Sequence, residues 1–471
     1  MAAGFSLTSA AAAWAVPPAI AGGEAPPVHS LVAQLEGDFT DLPEQDDPRF
    51  GEAVAVYGDL MVVGAPGTLT GSGQYRRGAV FVYRLQAGQW QQVQRIAFGT
   101  GGDGQCGTSV ALGASTLLVG CPYYEVSGAP YGRAVFYTWN EANDQFEGAV
   151  NFISDSLNSQ CGYSVAFIDV DPDAGGGLPI AAVGCPNRTF DAGGGLGVNK
   201  GEVIVYRWFL GWEEATRLTR EGSTVNLRYG HAVMLNYAGP ASERRLQLGV
   251  GMPGEGGGDG AVRVYQMGDT VAQWNLAISY TGPDDSRFGE SLHMRGGRLA
   301  IGAPERPVLN PFVTPPTNLP SGSIFIATRA CATLGGCSWS QQQQLGELVA
   351  PHVPIGEVFV AQNRFGHSVR VLATDRVIGG APLYPYPVYF GQARHYLLDD
   401  GDWVLHEEEP FFPAPAVSPL SEFGTAIGSD AQWLAVGAPG FIGDDGPTGR
   451  VFVYEWDRSD LIFKDGFELP L

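Results

Sequence analysis

A three-part unit repeated seven times constrains this 471-residue chain more than any other feature. Its first copy runs from Arg49 through Arg84. Phe50-Gly51 opens an alternating run, Met61–Pro66 closes a second, and Gly78–Tyr83 forms a third. Each run is short, β-branched or aromatic, and bounded by glycine or proline, which is how a strand reads. The opening pair recurs as Cys106-Gly107, Cys161-Gly162, Tyr229-Gly230, Phe288-Gly289, Phe365-Gly366 and Phe423-Gly424. Gly-x-Pro recurs at 120–122, 184–186, 251–253, 302–304, 380–382 and 437–439, and the third run recurs from Gly132, Gly201, Gly260, Gly322, Gly391 and Gly449. The mean period is about 62 residues. Most copies add a Trp-containing fourth run, such as Trp90–Val93 or Trp403–Leu405. Four strands in each of seven repeats predict an all-β chain, a seven-bladed β-propeller of four-stranded antiparallel blades.

At these residues the chain resembles the FG-GAP repeat family, the propeller units of integrin α-subunits and of many bacterial extracellular proteins. The resemblance spans residues 28–456. It is specific for fold and much less so for function, because one fold carries many functions.

Composition and the chain ends bound the compartment and partners. Residues 1–23 hold no lysine or arginine and are rich in alanine, and Ala19-Ile20-Ala21 is an A-x-A cleavage pattern, so 1–21 is expected to be a secretory signal peptide, although a positive start is missing. No later run approaches the apolar length of a membrane span. A net charge of −22 without a basic stripe argues against nucleic acid and reads chiefly as solubility. The chain is thus expected to be secreted or on the cell surface, and monomeric. Val28–Leu35 resembles the fourth strand of a repeat, whereas the last repeat lacks one after Trp456. Residues 28–35 are therefore expected to complete the seventh blade, with Leu461-Ile462-Phe463 as the alternative closer. Residues 457–471 form a C-terminal tail whose segment from Asp460 to Glu468 resembles a terminal motif of exported proteobacterial proteins.

If Phe-Gly starts the innermost strand, the loops after each Gly-x-Pro lie on the same face of the disc as the Phe-Gly turns. These loops are aromatic and proline-rich. Tyr123, Tyr124 and Tyr131, and Tyr384, Tyr386 and Tyr389, are the candidate ligand-binding residues, since loop aromatics give large contact area at small entropic cost. The competing reading is that the rings pack on one another and stiffen the loops.

Six cysteines allow 15 pairings in an exported chain. Aligning the repeats narrows them. Cys106 and Cys121, and likewise Cys161 and Cys185, replace the Phe and Ala of the two signatures and meet at one end of an inner hairpin. Cys331 and Cys337 flank a Gly-Gly turn. The expected bridges are Cys106–Cys121, Cys161–Cys185 and Cys331–Cys337. The family resemblance also implies a search for calcium loops between the first and second strands. Only the third repeat offers one, with Asp169, Asp171 and Asp173 as oxygen ligands for a single calcium. Ala174 and Gly177 depart from the loop pattern, so a solvated acidic turn is the other reading. No other cofactor is indicated.

Catalytic signals are thin. His231, His293 and His367 follow Phe-Gly-type pairs on innermost strands and would meet in the central channel if they face it. Neither a GxSxG elbow, an HExxH helix nor a P-loop is present. The expected function is a non-enzymatic binding or adhesion module that recognises a protein or glycan through the loop face. The alternative is an extracellular polysaccharide hydrolase or lyase with chemistry in the channel.

Overall fold

The computed structural model describes residues 29–456 except 100–101, 170–177, 192–196, 221–225, 239–243, 311–316, 333–335, 343–345, 350–362, 385–389, 412–419 and 444–445. Seven antiparallel sheets follow one another as the blades of a propeller. In the first blade the innermost strand is Ala53–Tyr57, followed outward by Leu60–Ala65, Ala79–Gln86 and Gln89–Ala97. The fifth blade differs. Its long third strand, Ser323–Ala332, has an outer partner in two pieces, Gly336–Trp339 and Gly346–Val349. The seventh blade takes its outer strand from the start of the ring. His29–Leu35 lies antiparallel to Arg450–Trp456, with Leu31 opposite Tyr454 and Leu35 opposite Val451. The closer is therefore the N-terminal strand; the alternative at 461–463 lies outside the described residues.

The Phe-Gly pair is the centre of a tight turn. In all seven blades the amide two residues beyond the aromatic or Cys position donates to the carbonyl of the residue before it, as from Glu52 to Arg49 and from His231 to Arg228. The turn's third residue is the glycine, at φ 86–98°. A turn with positive φ at that position needs glycine. The residue before Phe is also left-handed, at φ 47–57° in every blade, although none is glycine. Cross-blade bonding holds it there. The Phe50 amide donates to Thr448 of the seventh blade at 3.2 Å, and the Phe288 amide to Asp259 of the fourth at 3.1 Å. A parallel bridge joins each Phe-type position to the glycine that opens the preceding blade's third strand, from Gly78–Cys106 round to Gly449–Phe50.

The Gly-x-Pro glycine answers the same turn. A β-carbon on Gly64, Gly120, Gly184, Gly251, Gly302, Gly380 or Gly437 would overlap the carbonyl oxygen of the Phe-Gly glycine in the next blade, and Gly437 meets Gly51 to close the ring. Four blades add a side-chain tie: Ser109, Ser164, Ser291 and Ser368 donate to the carbonyls of Gly162, Gly230, Gly366 and Gly424 at 2.7–2.9 Å. Between blades, second and third strands alternate into shared cores, with Phe50, Phe81, Met61 and Val63 fully buried in the first. Disulfides join Cys106 to Cys121, Cys161 to Cys185 and Cys331 to Cys337. The first two occupy Phe-type and Ala-type signature positions at the blade interfaces.

A single methyl group at this contact is expected to be costly. Gly251→Ala should destabilise by about 3 kcal/mol or more, because the clashing atom is backbone and cannot step aside. Gly99, which faces open space, should tolerate Ala with little change. Denaturant melts of both variants test this; equal midpoints would remove the contact from its structural role.

Candidate functional site

The first and fourth residues of each Phe-Gly turn stand at the same end of the innermost strand, and so ring the mouth of the central axis. The first positions are Arg49, Gln105, Gln160, Arg228, Arg287, Arg364 and Glu422; the fourth include Glu52, Tyr163, His231, Glu290 and His367. Their side chains form two polar groups at the mouth. Tyr163 meets the edge of His231 with ring centroids 4.7 Å apart. His231 Nε2 lies 3.2 Å from Glu290 Oε2, and Glu290 is also paired with Arg287 at 2.9 Å and Arg364 at 3.1 Å. Across the ring Arg49 pairs with Glu52 at 2.8 Å and Glu422 at 3.0 Å.

Arg228 is different. No carboxylate lies within ion-pair distance of it among the described residues; its guanidinium sits 5.6 Å from the Tyr163 ring centre. Beside it a cleft of about 310 Å³ opens between the fourth and fifth blades, lined by Arg228, Pro253, Gly254, Asp285, Arg287 and Glu305 among others. Gly257 and Gly258, at φ 89° and 140°, keep its wall free of side chains. The cleft therefore offers one cation without a carboxylate partner, exposed Asp285, and the Arg287–Glu305 pair at 3.2 Å.

Electrostatics at the mouth follow from burial. His231 is held well below the usual histidine range, first by burial and then by Arg228, Arg287, His367 and Arg364. His367 is lowered to about 3 by burial and by Arg364, Arg49 and Arg287. Burial likewise raises the Tyr163 hydroxyl. Both histidines are thus neutral near pH 7, in a field set by fixed guanidinium groups.

The expected site residues fall into three groups. Tyr123 is half-buried, and its amide donates to Gly104 at 3.4 Å, next to Gln105 at the start of the second blade's turn. Tyr124 and Tyr384 are not free loop anchors. Arg133 stacks 3.9 Å from the Tyr124 ring centre, Arg394 lies 5.4 Å from that of Tyr384, and both rings pack against blade cores. They belong to the second and sixth blades, three apart in the ring, so the aromatic loops form no single cluster. Tyr131 is half-buried and tied through its backbone to Tyr124 and Ser159. Tyr386 and Tyr389 lie outside the described residues, as do Asp171 and Asp173 and the segments 1–21 and 457–471. Asp169 is described, and its Oδ2 accepts the Ala114 amide of the second blade at 2.8 Å. Cys161, Cys185 and Glu202 approach one another as metal ligands would, but the two sulfurs are bonded together. Of the three strand histidines, His231 and His367 both stand at the mouth, as fourth residues of the fourth- and sixth-blade turns. His293 stands apart, its Nδ1 accepting the Val371 amide at 3.0 Å. The arginines at turn positions were missed; the signal was available as Arg-Phe-Gly in three repeats and Arg-Tyr-Gly in a fourth.

Comparison with known proteins now bears on these turns. Residues 44–83, which hold the first Phe-Gly turn and the Gly-Ala-Pro that meets the second blade, match the FG-GAP repeat. The first three strands of the first blade are thus similar to an FG-GAP repeat. The other six blades carry the same signatures in the same geometry around a seven-bladed ring. No curated protein matches the chain. Among the described residues no helix is long and apolar enough to cross a membrane.

The buried histidines make stability pH-dependent with a definite sign. Below about pH 6.5 an unfolded histidine takes up a proton that the folded one refuses, so stability is full above that value and falls as pH drops toward the folded value, about 3 for His367. Each such histidine contributes up to roughly 1.4 kcal/mol per pH unit in that window. Denaturant unfolding between pH 7 and 5 should show this loss, and His367→Gln should make the slope shallower; an unchanged slope would mean that His367 is protonated in the folded protein.

Proposed function

We propose that the chain is an exported, monomeric binding module that takes a protein or glycan ligand on the loop face, at the channel mouth and the cleft beside it. The FG-GAP propeller fold supports a ligand-binding module, and FG-GAP repeats with disulfides are typical of extracellular proteins. The observation that carries the location is Arg228. Arg49, Arg287 and Arg364 are each neutralised by a carboxylate, whereas Arg228 projects at the edge of the cleft against an aromatic ring. Arginine with tyrosine beside a preformed concavity is the chemistry of an interface anchor.

One contact favours the second reading, a hydrolase or lyase acting in the channel: His231 stands 3.2 Å from Glu290. Its environment counts against acid–base work. A general base works best with a pKa near the operating pH, and burial, with Arg228, Arg287 and Arg364 nearby, holds His231 well below it. Glu290 is bridged between Arg287 and Arg364, which leaves it little freedom to move a proton.

A glycan and protein array probed with the full chain supplies the ligand. Arg228→Ala and Tyr123→Ala should then weaken the best hit at least about tenfold, roughly 1.4 kcal/mol, with unchanged melting and no effect of EDTA. Full affinity in both variants would remove the mouth from the binding site. Binding abolished by EDTA alone would move it to the opposite face and Asp169. Turnover of an arrayed polysaccharide, lost in Glu290→Gln, would establish the enzyme reading instead.

A further inference from the structure

The face opposite the mouth carries an apolar projection that neither the blade cores nor the proposed ligand site uses. Third-to-fourth-strand hairpins end on this face, beside the first-to-second-strand turns; in the third blade the Trp208 amide donates to Pro179 at 3.0 Å. That hairpin, Glu202–Trp208 turning into Trp212–Thr219, has Phe209, Leu210 and Gly211 at its tip. Trp208 is 39% exposed, Phe209 57% and Leu210 96%, and Leu178 on the neighbouring turn is 40% exposed. The equivalent tips of the first, second and sixth blades are Ala87-Gly88, Glu141–Asp144 and Asp400-Gly401. Small and polar residues therefore suffice to make this turn.

Leu210 is also poorly suited to its backbone. It holds φ 61°, a left-handed conformation that disfavours a bulky side chain and that glycine or asparagine adopts readily. Leucine here costs strain and exposure together, and nothing within the blade compensates. An exposed apolar cluster of this kind is what marks an interaction surface.

We propose that this tip inserts into the interfacial region of an electrically neutral lipid surface. Three features select that occupant. The tip is convex, and three side chains supply far less than the roughly 1,200 Å² of a stable protein–protein interface, whereas shallow insertion needs only the tip. Tryptophan, phenylalanine and leucine are the residues that settle at the headgroup boundary. The adjacent arginines are neutralised, Arg207 by Glu213 at 2.7 Å and Arg217 by Glu214 at 2.8 Å. With a net charge of −22 the chain is repelled by an anionic surface. Attachment through one tip is reversible and leaves the mouth facing away from the lipid. This inference does not depend on what the mouth binds.

The test is flotation of the full chain with phosphatidylcholine vesicles, read also by quenching of tryptophan emission with brominated phosphatidylcholine. The wild type should float and be quenched. Phe209→Ser with Leu210→Asn should bind at least tenfold less while melting at the same or a higher temperature, because asparagine relieves the strain. The proposal is overturned if the wild type stays unbound, if the variant floats equally well, or if only vesicles containing phosphatidylglycerol capture the chain. It is equally overturned if sedimentation shows a wild-type dimer that the variant abolishes, which would assign the tip to a second copy.

Discussion

The ring depends on one contact made seven times, a glycine α-carbon on a second strand resting on the carbonyl oxygen of the next blade's Phe-Gly turn. Only hydrogen fits there. The contact brings neighbouring innermost strands close enough for the parallel bridge and the Phe amide bond to form, and it fixes the angle between blades. Each blade must present both halves, the turn to its predecessor and the Gly-x-Pro glycine to its successor. That reciprocity is why the two signatures travel together along the sequence, and why the seventh blade closes on the first at Gly437 and Gly51. Cys106–Cys121 and Cys161–Cys185 fit the same positions because the turn and the second-strand end already lie side by side.

The same turn leaves its outer positions free. The aromatic side chain is buried and the glycine is fixed by its φ, whereas the residues before and after are not fixed by the turn and meet one another at the mouth. Their identity varies from Arg to Gln to Glu before the aromatic, and from Glu to Thr, Tyr and His after it. The architecture thus separates what holds the ring from what lines its mouth. It also explains the pairing of charges there. Turn positions one and four are neighbours, so Arg49 meets Glu52 and Arg287 meets Glu290 within a single blade, and longer reaches such as Arg364 to Glu290 join blades. Arg228 and Arg364 both have a neutral histidine at the fourth position; Arg364 reaches Glu290 of the fifth blade, whereas Arg228 meets no carboxylate among the described residues.

Fold and closure were legible because they rest on backbone geometry that only certain residues satisfy. Glycine at positive φ and glycine under a carbonyl leave a mark at every repeat. The Cys106–Cys121 and Cys161–Cys185 bridges were legible for the same reason, once these cysteines were aligned with signature positions. The site was less so. Attention to loop aromatics picked out Tyr124 and Tyr384, but an aromatic beside an arginine in the fold, here Arg133 and Arg394, is held in place, and the sequence does not show that stacking. The mouth draws its members from seven separated turns, so its clustering exists only in the closed ring. The apolar tip lay in plain view as Trp-Phe-Leu-Gly-Trp, yet a short apolar run is indistinguishable from a buried strand end until its exposure is known.

The acidic turn of the third blade shows how a chain of this type orders its far face. A calcium loop gathers carboxylates inward around an ion. Asp169 instead reaches sideways to the Ala114 amide of the second blade, and Asp430 of the seventh blade accepts the Gly58 amide of the first at 2.8 Å. Asp430 also closes its own turn, accepting from Gln432 at 2.7 Å and Trp433 at 2.8 Å. A carboxylate bonded to a backbone amide is a charge-assisted contact, stronger than a neutral one, and it spans blades as an enclosed ion would not. Burial raises the Asp169 carboxyl above the ordinary aspartate value, while the Ala114 bond acts in the opposite sense. Among the described residues, Asp169 and Asp430 each brace neighbouring blades on the far face.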